Sequence, residues 1–259
     1  MASIMTARAR IGYIEAGGGD ATPIVFLHGV GSDSSVWRPQ LDHFGVSLRT
    51  VAFDYPGYGE SELVDGATRD DFAAAILAAM DELGIEQAHV CGLSLGGVIA
   101  IAMHAVAPDR VASLIIADSF AVHPDGQGIY DRSVAASQAM TMRELAEART
   151  GALLGNAASG ELRREIVDTM AAIDPAAYRF GAAAVWLADQ RDRAAAIDVP
   201  TLILVGEEDR ITPPALSEEL AELIPGSRLM RVADAGHLAN AEQPRAFNAA
   251  IESFVAELG

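Results

Sequence analysis

The sequence has almost no cysteine, and it has few basic residues relative to its acidic ones. Cys91 is the one cysteine in 259 residues, which excludes a disulfide within the chain and a multi-cysteine metal site. Basic residues number 18 against 36 acidic ones, and the formal net charge is −18. A field of that sign repels phosphate backbones and anionic lipid headgroups, so we expect neither a nucleic-acid partner nor a membrane partner.

Long hydrophobic runs are also missing from the sequence, and we do not expect its first residues to be a secretory signal. The longest weakly polar stretches, 96–107 and 111–117, are far shorter than the about 20 residues that cross a bilayer. Residues 1–19 contain no apolar run before a small-residue cleavage site. We therefore expect a cytoplasmic protein, and nothing in the sequence fixes its oligomeric state.

Short apolar runs alternate with amphipathic stretches along most of the chain. Strands are predicted at 24–28, 50–54, 89–93, 114–117 and 201–205, with a further run at 229–232. Helices are predicted at 70–83, 95–107, 214–223 and 244–258. Continuous apolar runs of four to six residues are typical of strands covered on both faces, so the fold class is α/β with a doubly wound parallel sheet.

The segment 122–196 interrupts this alternation. It contains no convincing strand, and its pattern indicates short helices broken at Gly151, Gly155, Gly160 and Asp174-Pro175. A crossover between two parallel strands does not need so many residues. We predict a helical cap at 122–196 on a core made of 1–121 and 197–259; extra helices flanking the sheet are the alternative.

The strongest local motif is Gly92-Leu93-Ser94-Leu95-Gly96, of the form G-x-S-x-G. Such a motif is weak evidence for a nucleophile when it stands alone, but this one follows a predicted strand and begins a predicted helix. A strand-to-helix turn this tight lifts its central side chain clear of the backbone, and the glycines make room for it. Ser94 is therefore the candidate nucleophile; a serine that only caps the helix is the alternative.

A serine nucleophile needs a base, and the base needs an acid that orients it. His237 is the preferred base because it lies in a loop after the predicted strand 229–232. Asp209 is the preferred acid because it follows strand 201–205, and Asp118, at the end of strand 114–117, is its rival. Four of the remaining histidines fit structural roles better: His28, His43, His89 and His104. The fifth, His123, lies near the predicted cap entrance and could touch the substrate.

Acyl transfer also requires N–H donors for the developing oxyanion. The glycine-rich segment His28-Gly29-Val30-Gly31 follows the first predicted strand, where backbone can approach a ligand. We predict that the backbone N–H groups of Val30 and Leu95 form the oxyanion hole, with His28 as a support for its loop.

Taken together, these motifs resemble the α/β-hydrolase superfamily over nearly the whole chain. The resemblance includes the turn Asp54-Tyr55-Pro56-Gly57-Tyr58-Gly59-Glu60-Ser61, a structural hallmark there. It implies a mostly parallel eight-stranded sheet, a helical cap after strand six, and a Ser-His-Asp triad that uses no cofactor and no metal. An aspartate-nucleophile mechanism is disfavoured because Ser94 occupies the elbow.

Within the superfamily, the stretch from His237 to Pro244 looks like that of the 3-oxoadipate enol-lactonases. So does Gly31-Ser32-Asp33 with Trp37 downstream. The resemblance implies an esterase or lactonase with a small-molecule ester or lactone substrate. A carbon–carbon bond hydrolase of ring-cleavage products and a slow-turnover small-molecule sensor of the same fold are the alternatives.

Two kinds of side chain in the cap are candidates for contact with the substrate. Trp186 is the aromatic side chain expected to face the pocket, although it could instead hold the cap to the core. Several arginines could pair with a substrate carboxylate, although most of them are expected to be solvated: Arg132, Arg143, Arg149, Arg163, Arg164 and Arg179.

Overall fold

The computed structural model describes residues 1–258, so Gly259, the last residue of the predicted core, lies outside the described residues. One eight-stranded sheet has the order β1-β2-β4-β3-β5-β6-β7-β8. Its strands are β1 Ala2–Met5, β2 Arg10–Ala16, β3 Ile24–Leu27, β4 Thr50–Phe53, β5 Ala88–Leu93, β6 Val111–Ala117, β7 Thr201–Gly206 and β8 Arg228–Val232. The predicted α/β class and mostly parallel sheet are confirmed.

The two N-terminal strands are the antiparallel part of the sheet. β1 pairs with β2, and β2 pairs with β4, both antiparallel, whereas β3 to β8 pair in parallel. Both strands carry exposed positions, and β1 is exposed or half-buried throughout. The apolar-run criterion misses them for that reason, since it finds strands that are buried on both faces.

Side chains of the central strands alternate between two hydrophobic clusters. On β3, Ile24 and Phe26 belong to one cluster, while Val25 and Leu27 belong to the other. Successive side chains of a strand point to opposite faces of the sheet, so helices cover both faces. At roughly 25 cal/mol per Å² of apolar area, these two clusters are the main favourable contribution to folding.

Eleven helices are found in the described part of the chain. They are α1 Arg38–Phe44, α2 Arg69–Glu82, α3 Leu95–Val106, α4 Gly126–Ala139, α5 Met142–Leu153, α6 Gly160–Ala171, α7 Pro175–Trp186, α8 Arg191–Ala195, α9 Pro214–Leu223, α10 Ala239–Glu242 and α11 Pro244–Ala256. The four predicted helices correspond to α2, α3, α9 and α11 to within two residues at each end. None of the eleven is long and apolar enough to cross a membrane.

Helices α4 to α8 lie between β6 and β7 in the chain, within the segment predicted as the cap. α4 packs on α7, and α5 packs on α6. Asp174 caps α7, and its carboxylate accepts a hydrogen bond from the N–H of Ala176 at 2.6 Å. Gly160 begins α6, so a helix boundary is found there as predicted. Gly151 lies inside α5, and the predicted break at this residue is wrong. One glycine in a helix costs only about 1 kcal/mol relative to alanine, which the packing of α5 offsets.

Side-chain contacts attach this segment to the core beneath it. The Gln190 side chain donates a hydrogen bond to the carbonyl of Val98 in α3, at 2.8 Å. The hydroxyl of Tyr58 donates to the carbonyl of Ala177 in α7, at 3.1 Å. Trp186 stacks on Phe120 with ring centroids 5.7 Å apart. Residues of this segment therefore pack on Val98, Tyr58 and Phe120, which lie in the helix or loops that follow strands β5, β4 and β6.

Candidate active site

Ser94 is the single residue between β5 and α3, and its backbone is strained. Its φ is 55°, a left-handed value that serine rarely adopts. A Cβ at Gly92 would clash with the carbonyl group of Gly96, and a Cβ at Gly96 would clash with the carbonyl of Leu27. The glycines of the motif are therefore required for the turn to close, and the turn places Ser94 at the N-terminus of α3.

His237 and Asp209 meet from two different loops. Asp209 follows β7 and His237 follows β8, and Nδ1 of the imidazole lies 2.8 Å from Oδ2 of the carboxylate. Both side chains are almost fully buried. The N–H of His237 donates to the carbonyl of Leu153 at the end of α5, at 2.8 Å. The carboxylate thus fixes the tautomer with hydrogen on Nδ1, which leaves Nε2 free to accept a proton.

The carboxylate of Asp209 accepts three further hydrogen bonds. The backbone N–H groups of Ile211 and Thr212 donate to Oδ1 at 2.8 and 2.9 Å, and the hydroxyl of Thr212 donates to Oδ2 at 2.7 Å. Burial raises the pKa of Asp209, but the charge of His237 and these hydrogen bonds outweigh burial, so the pKa lies below its usual value. Asp209 is therefore held as an anion beside the imidazole.

Thr212 is the part of this arrangement that the sequence analysis missed. Its hydroxyl oxygen also lies 3.2 Å from Nδ1 of His237 and 3.0 Å from the carbonyl oxygen of Asp118. The one sequence signal that could have found it is its position three residues after Asp209, the spacing at which a turn returns hydrogen bonds to a carboxylate.

Ser94 and His237 line the same cavity, although no hydrogen bond joins Ser94 Oγ to the imidazole among residues 1–258. Ser94 is buried, and its backbone is fixed by the hydroxyl of Ser119, which donates to the carbonyl of Ser94 at 2.8 Å. Hydrogen bonds between nucleophile and base are often long without substrate and shorten when substrate binds.

The predicted oxyanion donors lie beside Ser94. A Cβ at Gly29 would be 3.5 Å from Cβ of Ser94, so the segment that carries Val30 runs directly past the serine. Leu95 is the first residue of α3, where backbone N–H groups have no partner in the helix. Within the described range, the N–H groups of Val30 and Leu95 donate to no protein acceptor.

The rival acid, Asp118, occupies a different position. It follows β6 with φ 47°, and its Oδ1 accepts a hydrogen bond from the N–H of Gly206 at 2.8 Å. Its Oδ2 has no partner among the described residues. Burial and the neighbouring charge of Asp209 raise the pKa of Asp118 far above its usual value, against the effect of the backbone N–H groups of Gly206 and Ala239. Asp209, not Asp118, is bonded to His237.

The side chains of the other five histidines contact groups other than Asp209. His28 is buried, and its Nδ1 donates to the carbonyl of Gly29 at 2.8 Å, a contact that supports the Val30 loop. His89 bonds Ser113, His104 bonds Asp198, and His43 lies 3.7 Å from Glu252. His123 packs edge-on against Trp186, and burial lowers its pKa.

The cavity beside Ser94 encloses about 450 Å³ of space not filled by atoms, including its opening to solvent. Trp186 of α7 lines it and also stacks on Phe120, which follows β6. The lining residues are Gly29, Val30, Gly31, Ser32, Ser94, Arg149, Leu153, Ile166, Trp186, Ile211, His237 and Leu238. The walls are therefore mostly apolar, with a few polar groups, as in sites for small organic molecules.

Comparisons with known proteins agree with this fold. The family described as the alpha/beta hydrolase fold matches residues 22–244. A relative from Acinetobacter baylyi, 3-oxoadipate enol-lactonase 1, is 29% identical over 91% of this chain and 89% of its own. The solved enol-lactonase from Burkholderia xenovorans LB400 has a TM-score of 0.91 and 27% identity over 98% of this chain and 100% of its own. A solved thermophilic esterase from Thermogutta terrifontis also has a TM-score of 0.91 and 27% identity, over 99% of this chain and 98% of its own.

Proposed function

Because the chain belongs to the α/β-hydrolase family and is a carboxylic ester hydrolase, we propose that it cleaves a small ester or enol-lactone through an acyl-enzyme on Ser94. One observation carries this proposal. Ser94, on a strained strand-to-helix turn, lines the same small cavity as His237, whose imidazole is bonded to the buried carboxylate of Asp209.

In the first half-reaction, Nε2 of His237 removes the proton of the Ser94 hydroxyl as Oγ attacks the substrate carbonyl. Asp209 stabilises the imidazolium that results. The protonated imidazole then gives its proton to the alcohol oxygen as the carbon–oxygen bond breaks. For a lactone, the freed oxygen stays in the same molecule, and an enol product becomes a ketone.

The negative oxygen of the tetrahedral intermediate is bound by the N–H groups of Val30 and Leu95. Loss of one such donor typically costs about 10²- to 10³-fold in kcat. In the second half-reaction, His237 removes a proton from water, which attacks the acyl carbon. The imidazolium then returns this proton to Oγ of Ser94 as the bond between Oγ and the acyl carbon breaks and the acid leaves.

Residues 122–196 act as the cap of this site, and 1–121 with 197–258 form the core. Support comes from the cavity itself, since Leu153, Ile166 and Trp186 of the helical segment line it together with Ser94. Apolar side chains from the cap exclude water from the reacting atoms and strengthen the electrostatic contribution of the oxyanion hole.

The test combines an active-site probe with two serine variants. A fluorophosphonate should label wild-type Ser94, identified by peptide mapping. Ser94→Ala should lose labelling and several orders of magnitude of kcat on 4-nitrophenyl butyrate. Ser32→Ala, a second serine of the same cavity, is the matched control and should keep both. Labelling of another residue, or retained turnover by Ser94→Ala with an unchanged thermal transition, would refute the proposal.

A substrate panel separates this reaction from its alternatives. Aryl esters and enol-lactones should turn over faster than vinylogous diketones, the substrates of carbon–carbon bond hydrolases. The reverse order would contradict ester specificity. Slow turnover of every class, together with a large rise in melting temperature on ligand binding, would identify a sensor instead.

A further inference from the structure

The base loop, residues 233–238 with His237, lies directly against the cap loop, residues 154–159 between α5 and α6. A Cβ added at Gly236 would clash with the backbone nitrogen of Gly155. A Cβ added at Gly155 would in turn come within 2.9 Å of the backbone nitrogen of Gly236. The two backbones therefore meet where each has a glycine, and no room is left for a side chain between them.

The carboxylate of Glu242 binds both of these loops. Its Oε1 accepts hydrogen bonds from the N–H groups of Gly236 and Leu238 at 2.9 and 3.3 Å, the residues on either side of His237. Its Oε2 accepts a hydrogen bond from the N–H of Gly155 in the cap loop, at 2.7 Å. Glu242 is the last residue of α10 and is half-buried. One carboxylate thus joins the cap loop to the base loop.

Three N–H groups that converge on one side chain require an acceptor at both of its oxygens. A carboxylate accepts at both oxygens and has no donor, whereas the amide of a glutamine would place its NH2 against one of these N–H groups. Burial raises the pKa of Glu242, against the effect of the three N–H groups, so these hydrogen bonds stabilise its charged form. Glu242 does not line the cavity, so an effect of this side chain on turnover must reach the reacting atoms through His237.

We propose that Glu242 is a positioning residue for His237: its carboxylate fixes the base loop against the cap, so that Nε2 stays within reach of Ser94 through both half-reactions. This inference rests on the proposed function of His237 as the base. Asp209 orients the ring through Nδ1, and Glu242 fixes the backbone on both sides of the residue that carries the ring. Proton transfer needs hydrogen-bond distance, and a misplacement of about 1 Å can cost about 100-fold in rate.

The experiment measures turnover per active site in Glu242→Gln, which keeps the size of the side chain and removes one acceptor. The variant should lower kcat on 4-nitrophenyl butyrate by about 10- to 100-fold and change KM by less than about threefold. KM changes little because His237 acts in both half-reactions, so acylation and deacylation slow together. Active sites are counted from the fluorophosphonate bound at completion, and the rate constant of labelling should fall together with kcat.

Glu208→Gln is the matched control, because Glu208 anchors the same cap loop without holding the base loop. Its Oε2 accepts a hydrogen bond from the N–H of Asn156 at 2.8 Å. This variant should lower the melting temperature and leave kcat per active site within about twofold of wild type. Wild-type kcat per active site in Glu242→Gln, with only a lower melting temperature, would make Glu242 a structural residue and overturn the inference. An equal loss of kcat in Glu208→Gln would overturn it as well, since anchorage of the cap loop alone would then explain the effect.

Two glycine variants decide the question from the cap side if Glu242→Gln does not fold. Gly155→Ala places a Cβ 2.9 Å from the backbone nitrogen of Gly236, so the base loop must shift, whereas a Cβ at Gly151 on α5 meets nothing within 4 Å. Gly155→Ala should lower kcat per active site by about fivefold or more with little change in KM, and Gly151→Ala should not. Wild-type kcat per active site in a folded Gly155→Ala would then overturn the inference.

The failures of the two proposals are distinguishable. A wild-type enzyme that is labelled at Ser94 and hydrolyses aryl esters, with Glu242→Gln equally active, would overturn the role of Glu242 and leave the proposed function standing. A wild-type enzyme that is not labelled at Ser94 and hydrolyses no aryl ester would refute the proposed function, and the role of Glu242 with it.

Discussion

Burial raises the pKa of the Asp118 carboxyl well above its usual value, and replacement of this residue by asparagine tests that shift. The side chain is fully buried, one oxygen accepts a single N–H from Gly206, and the other has no partner among the described residues. Asparagine keeps the acceptor and, like aspartate, tolerates the positive φ of this position. Because the raised pKa favours the neutral carboxyl, which asparagine resembles in shape, Asp118→Asn should change the free energy of unfolding by about 1 kcal/mol or less at pH 5.

The size of the expected effect follows from how the free energy of unfolding depends on pH. Because burial and the charge of Asp209 raise the pKa of Asp118, the folded protein holds a proton that the unfolded chain releases above about pH 4. Stability from this group is therefore complete below the unfolded pKa and falls as pH rises towards the folded pKa. The slope is at most about 1.4 kcal/mol per pH unit. Asp118→Asn lacks this titration, so its stability relative to wild type should rise by up to about 2.7 kcal/mol from pH 5 to pH 7.

Urea unfolding of both proteins across this pH range measures the difference, in which titrations common to both proteins cancel. Titration of Asp209 does not contribute to the difference, because its lowered pKa lies below the range from pH 5 to pH 7. Asp118→Ala, which loses the Gly206 acceptor and disfavours positive φ, is the control and should be destabilised at every pH. A loss of about 3–5 kcal/mol in Asp118→Asn at pH 7, as for a broken buried ion pair, or a flat difference from pH 5 to pH 7, would refute the reasoning.

Three other changes probe the site. Asp209→Asn should lower kcat about 10⁴-fold with a small change in KM in steady-state ester assays, because His237 loses the group that holds its tautomer; a tenfold effect or less would contradict this. Thr212→Val removes one donor to the Asp209 carboxylate and should cost about 1.5–3 kcal/mol in urea unfolding, and an unchanged midpoint would argue against that bond. Gly92→Ala should lower the melting temperature or prevent folding because its Cβ meets backbone of α3, whereas Gly18→Ala, which meets nothing within 4 Å, should not.

The sequence predicts the positions of the candidate site residues because they follow a simple rule of parallel sheets. Ser94, Asp209 and His237 each come just after a strand, and the carboxyl ends of parallel strands lie at one edge of the sheet. The Asp209–His237 hydrogen bond agrees with that placement. The choice between Asp209 and Asp118 could not follow from the rule, because both residues satisfy it. Their difference is a matter of tertiary contacts and burial.

Other features depend on tertiary contacts that no local pattern contains. Strands β1 and β2 carry exposed residues, so the apolar pattern misses them, and only the family resemblance implied eight strands. Gly151 lies inside α5 although glycine disfavours helices, because contacts with the neighbouring helix α6 outweigh its propensity. Thr212 reaches the Asp209–His237 pair through a turn whose geometry its residue type alone does not determine.

The cap arginines illustrate why net charge says little about a substrate. In the sequence they look alike, but Arg132 and Arg143 pair with aspartates, Arg163 donates to a backbone carbonyl, and Arg149 lines the cavity. Charges at the surface are screened within about 8 Å at physiological salt. A charged side chain that lines a cavity beside apolar walls is screened far less. The charges nearest the cavity, rather than the −18 of the whole chain, therefore dominate the field there.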